Sequence, residues 1–374
     1  MRQPAHGGNL AWAAALAGCP PGAILDFSAS ISPLGPPSSA MAAIESQLVN
    51  LRHYPDPDYG ELRLALSHFH QLPAEWILPG NGSAELLTLA GRELAQLSAT
   101  VLITPAFGDY YRSLAAYAAK VLEFPVSLGA GSGGVGEHGS GGVGEHGSGG
   151  EIPIQNRATK IQNSQGLLLN NPHNPTGILF SREVIIPHLK EFALVVVDEA
   201  FMDFLPPNQE QSLIGLVQEY PNLVILRSLT KFYSLPGLRL GYAISHPNRL
   251  RTWQSWRDPW SVNTLASAAA VAAIQDREFQ EQTWAWLPPA RQQLFDGLAS
   301  IPGLHPYKSA ANFLLVETQQ LCSVLQQKLL KHHQILIRDC LSFPELGDRY
   351  FRVAVRSFSD NERLLDAIIK SYEL

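Results

Sequence analysis

Cysteine is scarce in this chain. Cys19, Cys322 and Cys340 are the three among 374 residues, far apart and never in a CxxC pair. Such spacing offers neither a disulfide frame nor a zinc-ligand set, so no metal site is expected, and it fits a reducing compartment. Positive charge is thin as well. Twenty-seven Lys and Arg against 33 Asp and Glu leave a formal charge of −6, with no basic run, so nucleic acid and anionic membrane are not expected partners. No uninterrupted apolar run reaches the roughly 18 residues of a membrane span. The stretch from Leu10 to Leu16 is short, Ala-rich, interrupted by Trp12 and followed by no clear cleavage pattern. It reads as a helix of the mature protein rather than a secretory leader. These absences lead to the expectation of a soluble, cytoplasmic protein.

What is present is length and a repeated pattern. The chain exceeds one ordinary core, so two domains, or one large α/β domain with a smaller partner, is the default. Several short apolar runs end in loops rich in polar residues, Gly and Pro. Leu223-Val224-Ile225-Leu226 leads into Arg227-Ser228-Leu229-Thr230-Lys231, and Arg239 follows eight residues after the lysine. In open α/β folds, ligands bind at the carboxyl ends of such strands. Lys231 is therefore a candidate to bond an aldehyde cofactor, with Arg239 and the hydroxyls holding a phosphate, although a Ser/Thr-Lys pair alone also describes a solvated surface lysine.

Other strand ends carry polar groups too. Gly80-Asn81-Gly82-Ser83 runs into a helix, with Ser83 able to cap it; free N–H groups there either are simply capped or form a phosphate site. After Thr100–Ile103 comes Thr104-Pro105-Ala106-Phe107-Gly108-Asp109-Tyr110, where Phe107 or Tyr110 either stacks on a planar ring or packs in the core. Leu167-Leu168-Leu169 ends in Asn170-Asn171-Pro172-His173-Asn174-Pro175, whose prolines hold Asn171 and Asn174 extended. Ala193–Val197 ends in Asp198, a carboxylate that needs a cation or several donors unless it caps a helix.

Both chain ends supply further groups. His6-Gly7-Gly8-Asn9 is either a helix-entry turn or an anion-binding backbone, and Asp26-Phe27-Ser28-Ala29-Ser30-Ile31-Ser32-Pro33 reads as a short extended arm. Tyr54 lies in a Pro-punctuated loop. Near the C-terminus Arg338 falls in the strand predicted over 335–340 and Arg352 in the one over 350–356. Arginines in apolar strands call for an anionic ligand or acidic partners, surface ion pairs being the alternative. Residues 131–150 repeat GSGGVGEH and form no core face; His138 and His146 hint at a metal tract, but ordering so flexible a chain is costly, and the segment reads as a solvated surface insertion.

Taken in order, these motifs resemble the fold type I pyridoxal-phosphate enzymes, in the class I/II aminotransferase branch. The Asp26-Phe27-Ser28-Ala29 arm, Asp198-Glu199-Ala200-Phe201 and Arg338-Asp339-Cys340 resemble, more narrowly, the L-threonine-O-3-phosphate decarboxylases of cobalamin synthesis, and those in turn resemble histidinol-phosphate aminotransferases. The decarboxylase arm usually reads Ser-Ala-Asn-Ile-Asn-Pro where this chain has Ser30 and Ser32. Phe201 stands where histidinol-phosphate aminotransferases commonly carry Tyr.

The resemblance implies an α/β fold with a large domain around a mostly parallel sheet and a smaller α+β domain. Residues 1–45 would form the arm and part of the small domain, 46–264 the large cofactor-binding domain, and 265–374 the C-terminal small domain. Pyridoxal 5'-phosphate is the implied cofactor. Lys231 would bond its aldehyde and later carry a proton, Asp198 would pair with the ring nitrogen, and Asn174 would donate to the ring oxygen, with Phe107 or Tyr110 against the ring. Gly82, Ser83, Ala84, Ser228 and Arg239 would hold its phosphate, joined by Tyr54 from a neighbouring subunit, which implies a homodimer. Arg352 would clamp the substrate carboxylate, and His6, Gly7, Ser30 and Arg338 would serve the rest of a phosphorylated amino substrate. The implied reaction is decarboxylation of O-phospho-L-threonine to an aminopropanol phosphate, with a histidinol-phosphate or related aminotransferase and a non-catalytic cofactor-binding regulator as the other readings.

Overall fold

Three apolar runs, Leu167–Leu169, Val195–Val197 and Leu223–Leu226, have no polar face, as befits parallel strands covered on both sides. The computed structural model, which describes residues 7–128, 152 and 164–373, places them at the centre of a seven-stranded sheet. His6 and the repeat at 131–150 lie outside the described residues. In chain order the first eight strands are β1 (Leu25–Asp26), β2 (Ile77–Asn81), β3 (Thr100–Thr104), β4 (Val121–Pro125), β5 (Gly166–Asn170), β6 (Leu194–Asp198), β7 (Leu223–Ser228) and β8 (Leu240–Ser245). The sheet runs β2-β8-β7-β6-β5-β3-β4, with β7 through β4 parallel and β8 antiparallel to both its neighbours.

Strand alternation divides these runs between two cores. Val195, Val197, Leu167, Leu169 and Ile225 face one side, where they meet the helices Gly60–His70, Thr264–Gln275 and Arg277–Ala299. Val196, Leu168, Val224 and Leu226 face the other, against Gly82–Leu94, Gly108–Ala115 and Pro247–Ser255. The sheet is thus sandwiched, and its carboxyl edge is the part left for a ligand.

The remaining strands are β9 (Leu304–Pro306), β10 (Phe313–Thr318), β11 (Ile335–Leu336), β12 (Arg338–Asp339) and β13 (Tyr350–Ala354). A smaller antiparallel sheet has the order β12-β13-β10-β9. The single strand expected over 335–340 is in fact two. β11 pairs parallel with β1 of the arm, β12 pairs with β13, and the chain changes partner at Ile337. The run Ile335-Leu336-Ile337 continues into Arg338-Asp339 with no Gly or Pro between, so the sequence offers no break at the switch. Across β12 and β13 the register sets Arg338 directly opposite Arg352.

Candidate active site

Several strands deliver polar residues to one edge. Asn81, Thr104, Asn170, Asp198 and Ser228 end β2, β3, β5, β6 and β7, and because β8 runs the other way, Arg239 enters it from that same edge. The order of strands reverses between β3 and β5, the place where open α/β sheets form their ligand crevice. A cavity of about 210 Å³ lies there, lined by Ser83, Ala84, Phe107, Tyr110, Asn174, Asp198, Ser228, Lys231 and Arg239 from the large sheet, and by Gly7, Ser30, Arg338 and Arg352 from the arm and small sheet.

Lys231 follows β7 on a tight turn whose carbonyl accepts the Ser32 N–H of the arm (3.0 Å). Burial, then the positive charges of Arg352 and Arg239, bring its amine down to about 8 against the opposing pull of Asp198. Near neutrality an appreciable fraction is therefore the free base, the form that attacks a carbonyl. Asp198 is 7% exposed; its Oδ2 accepts from the Tyr110 hydroxyl (2.8 Å) and its Oδ1 from the Ala200 N–H (3.0 Å). Burial raises this carboxyl above its ordinary value, while those two bonds and the Lys231 charge hold it back. Burial and the adjacent carboxylate keep the Tyr110 phenol protonated, hence a donor. Of the two rings considered for stacking, Tyr110 is thus anchored by its hydroxyl to Asp198, and Phe107, half-buried, meets it edge-on at 5.8 Å on the same wall of the cavity. Alternation turns the next residue away: Glu199 is fully buried on the other side, accepting from Arg227 Nε (2.9 Å) and Ser212 Oγ (2.7 Å).

One end of the cavity is built on backbone. The helix Gly82–Leu94 begins two residues earlier than a Ser83 cap would require: Asn81 precedes it, its N–H taken by Glu85 Oε2 (2.7 Å), and Ser83 lies in the first turn. Gly82 has φ +74°, and a Cβ there would come 2.6 Å from Arg239 Nη2. At Gly241, a Cβ would come 2.6 Å from the Ser83 nitrogen. Neither position has room for a side chain, since a guanidinium and a helix start have been brought together. Both are positive, and an anion between them relieves that repulsion. Ser228 and Thr230 share a hydroxyl–hydroxyl bond (2.7 Å) on the same wall, and Arg239 is held with φ +58°, donating to the Pro236 carbonyl (3.1 Å). The donor set and the glycine-made room suit a phosphate ester.

The other end is built from side chains. Arg352 is 9% exposed, donates to Asn174 Oδ1 and to the Ser28 carbonyl (3.3 Å), and lies 4.8 Å over the Phe313 ring. Its Nε is buried without a partner among the described residues. Burial, then Arg338 beside it, lower Arg352 to about 10. Arg338 donates to Ser342 Oγ (2.6 Å). Two buried guanidiniums side by side are a second place for an anion. With its oxygen engaged by Arg352, Asn174 has its NH₂ left as a donor; its own N–H is fixed by Asn170 Oδ1 (2.8 Å). Ser30 Oγ is buried on this wall with no partner among the described residues.

Tyr54 is not brought to this cavity. It is 79% exposed and packs its ring 4.6 Å from Trp260. Thr230, one of the hydroxyls flanking the lysine, lines the cavity beside Ser228. Ser342 and Phe343 line it without having been assigned roles from sequence. They arrive on a loop whose sequence carries no signal.

Comparison with known proteins places the chain in a family. A family model described as aminotransferase class I and II matches residues 23–368. Threonine-phosphate decarboxylase of Salmonella typhimurium is 37% identical over 97% of this chain and 95% of its own length. Histidinol-phosphate aminotransferase of Methylobacillus flagellatus is 31% identical over 94% of this chain and 89% of its own. The fold also matches the crystal structure of histidinol-phosphate aminotransferase from Sinorhizobium meliloti in complex with pyridoxal-5'-phosphate, with a TM-score of 0.82 at 22% identity, covering 98% of this chain and 94% of that one.

Proposed function

The chain belongs to the class I and II aminotransferase family, and from that premise we propose that it is a pyridoxal-phosphate enzyme that decarboxylates O-phospho-L-threonine, releasing CO₂ and 1-aminopropan-2-yl phosphate as in cobalamin synthesis. The observation that carries the reading is the pairing of Arg338 with Arg352 in one cavity with Lys231 and a second, separate cationic end. Two anionic ends on the substrate and one on the cofactor match that distribution. The 37% identity to a threonine-phosphate decarboxylase supports the same choice.

When bound, the cofactor supplies an aldehyde for an amine and a sink for the electrons of the bond that breaks. The residues of this chain do the rest. Gly82, Ser83, Ala84, Ser228, Thr230 and Arg239 hold the cofactor phosphate, and Asp198, fixed by Tyr110, keeps a proton on the ring nitrogen. Phe107 covers a ring face, and Asn174 donates its NH₂ to the ring oxygen. Arg352 holds the substrate carboxylate and so sets its direction; Arg338, with Gly7, Ser30 and His6, takes the phosphate. Lys231, with its lowered pKa, returns a proton to the carbon that loses CO₂. Tyr54 stands among exposed Leu48, Val49, Leu51 and Trp260, an apolar patch suited to a second copy, whose cofactor phosphate Tyr54 would then reach.

The 31% identity to a histidinol-phosphate aminotransferase supports a second reading, transamination of a phosphorylated amine. One experiment separates them: the loaded enzyme is given O-phospho-L-threonine and CO₂ is measured, beside a reaction with histidinol phosphate and 2-oxoglutarate in which glutamate is measured. CO₂ release is expected. Glutamate without CO₂ would overturn the decarboxylase assignment.

A further inference from the structure

The arm that begins at β1 is a strap across the cleft. Its start pairs with β11, and the Phe27 carbonyl accepts the Ala354 N–H (2.8 Å) just beyond Arg352 on the small sheet. Its far end reaches the lysine turn, where Ser32 N–H donates to the Lys231 carbonyl (3.0 Å) and Ser234 Oγ donates to the Ser32 carbonyl (2.6 Å). Ser28 stands between, in no helix or strand, and is 1% exposed.

Every polar atom of Ser28 is engaged. Its N–H and its hydroxyl both donate to Asp26 Oδ1 (2.7 and 2.6 Å). A hydroxyl has one proton; with that proton given to Asp26, its lone pairs accept, and they take the Gly8 N–H at 2.8 Å. The Ser28 carbonyl accepts from Arg352 Nη2 (3.3 Å). Gly7 lies so close to that carbonyl that a Cβ would come 2.3 Å from its oxygen. One serine therefore touches the N-terminal glycines through its hydroxyl and the Arg352 guanidinium through its backbone.

We propose that Ser28 is a positioning residue for the second anionic group of the substrate. Its hydroxyl, polarised by Asp26, docks Gly7 and Gly8 on the wall of the cavity that carries Arg338 and Arg352. The group bound at that wall thereby keeps a fixed distance from the carboxylate at Arg352. The inference rests on the phosphoamino-acid reading above for the identity of that group, and on the hydrogen bonds alone for the docking.

Two measurements on the full, cofactor-loaded chain test it. Amide hydrogen exchange over Gly8–Ala17 should quicken about tenfold in Ser28→Ala and stay slow in Ser28→Thr, the loss of one hydrogen bond. The KM for O-phospho-L-threonine should rise about tenfold in Ser28→Ala, and the constant for inhibition by L-threonine should not change. Gly7→Ala, which pushes the same segment off the Ser28 carbonyl, should reproduce that rise, and the double variant should add nothing to it. Unchanged exchange in Ser28→Ala, equal weakening of both ligands, or full additivity with Gly7→Ala each overturns the proposal. If the unaltered chain binds the two ligands alike, the phosphoamino-acid reading fails instead, and exchange alone then decides the docking role.

Discussion

The two cationic ends of the cavity are made by opposite means. At the large-sheet end most of the work falls to backbone: the first turn of the helix at Gly82, the φ of +74° there, and the bare Cα of Gly241 that lets Ser83 come close, with Arg239 the one arginine there among the described residues. At the small-sheet end it falls to side chains of remote segments, Ser30 from the arm, Arg338 from β12 and Arg352 from β13. A backbone-built site cannot be altered without moving the main chain; a side-chain site can be changed one residue at a time. The first therefore suits a constant ligand, the cofactor, and the second a substrate that differs from one family member to another.

Lys231→Ala removes the group that serves both ends and has the largest expected effect. Turnover should fall by about 10³-fold or more, and the visible absorbance of the bound cofactor should change with it. An unaltered spectrum would show that Lys231 does not bond the cofactor. Next comes Arg352→Ala, which strips a charged two-pronged donor from a buried site. Substrate affinity should weaken by about a hundredfold with cofactor affinity intact. Gly82→Ala is its counterpart. Strain at φ +74° and the 2.6 Å approach to Arg239 Nη2 should weaken cofactor binding by about tenfold and leave substrate affinity alone. If both variants lowered both affinities equally, the two ends would not be separate sites.

A pH measurement sharpens the same contrast. The Lys231 amine, lowered to about 8, reacts as the free base, so capture of cofactor by the cofactor-free protein should quicken as pH rises through about 8 and then level off. Arg352 is the larger of the two charges that lower it. Arg352→Ala should therefore move the midpoint upward, and by more than Gly82→Ala, which keeps both guanidiniums and only displaces Arg239. Stopped-flow absorbance across pH 6–10 reads both; a midpoint that ignores Arg352 would refute electrostatic contact between the ends.

The two ends also differ in how far they can be read in the sequence. Lys231, Asp198, Asn174 and Ser228 each stand at or just after the end of an apolar strand, and strands of a parallel sheet share one carboxyl edge, so local pattern alone brings them together. The seven-stranded sheet and its two-faced burial follow from the same runs. The juxtaposition of Arg338 with Arg352 depends on antiparallel register between segments fourteen residues apart, and on a change of pairing partner at Ile337 that no residue type announces. Tyr110 was legible as an aromatic near the site. Its hydroxyl contact with Asp198, which decides its part, depends on the direction of a side chain from the helix Gly108–Ala115 toward the end of β6.

Ser30 gives the smallest and most discriminating test. Its hydroxyl is buried with no partner among the described residues, an arrangement that costs stability unless a ligand supplies the bond. Ser30→Ala removes that cost and makes only a small hole, so the unliganded protein should melt as before or slightly higher, within about 0.5 kcal/mol. Binding of O-phospho-L-threonine should nevertheless weaken by about tenfold, the low end for one hydrogen bond to a charged group. The two results must come together. Lower stability without weaker binding would make Ser30 a packing residue of the arm, and the substrate end of the cavity would then rest on its arginines and the Ser28 strap without it.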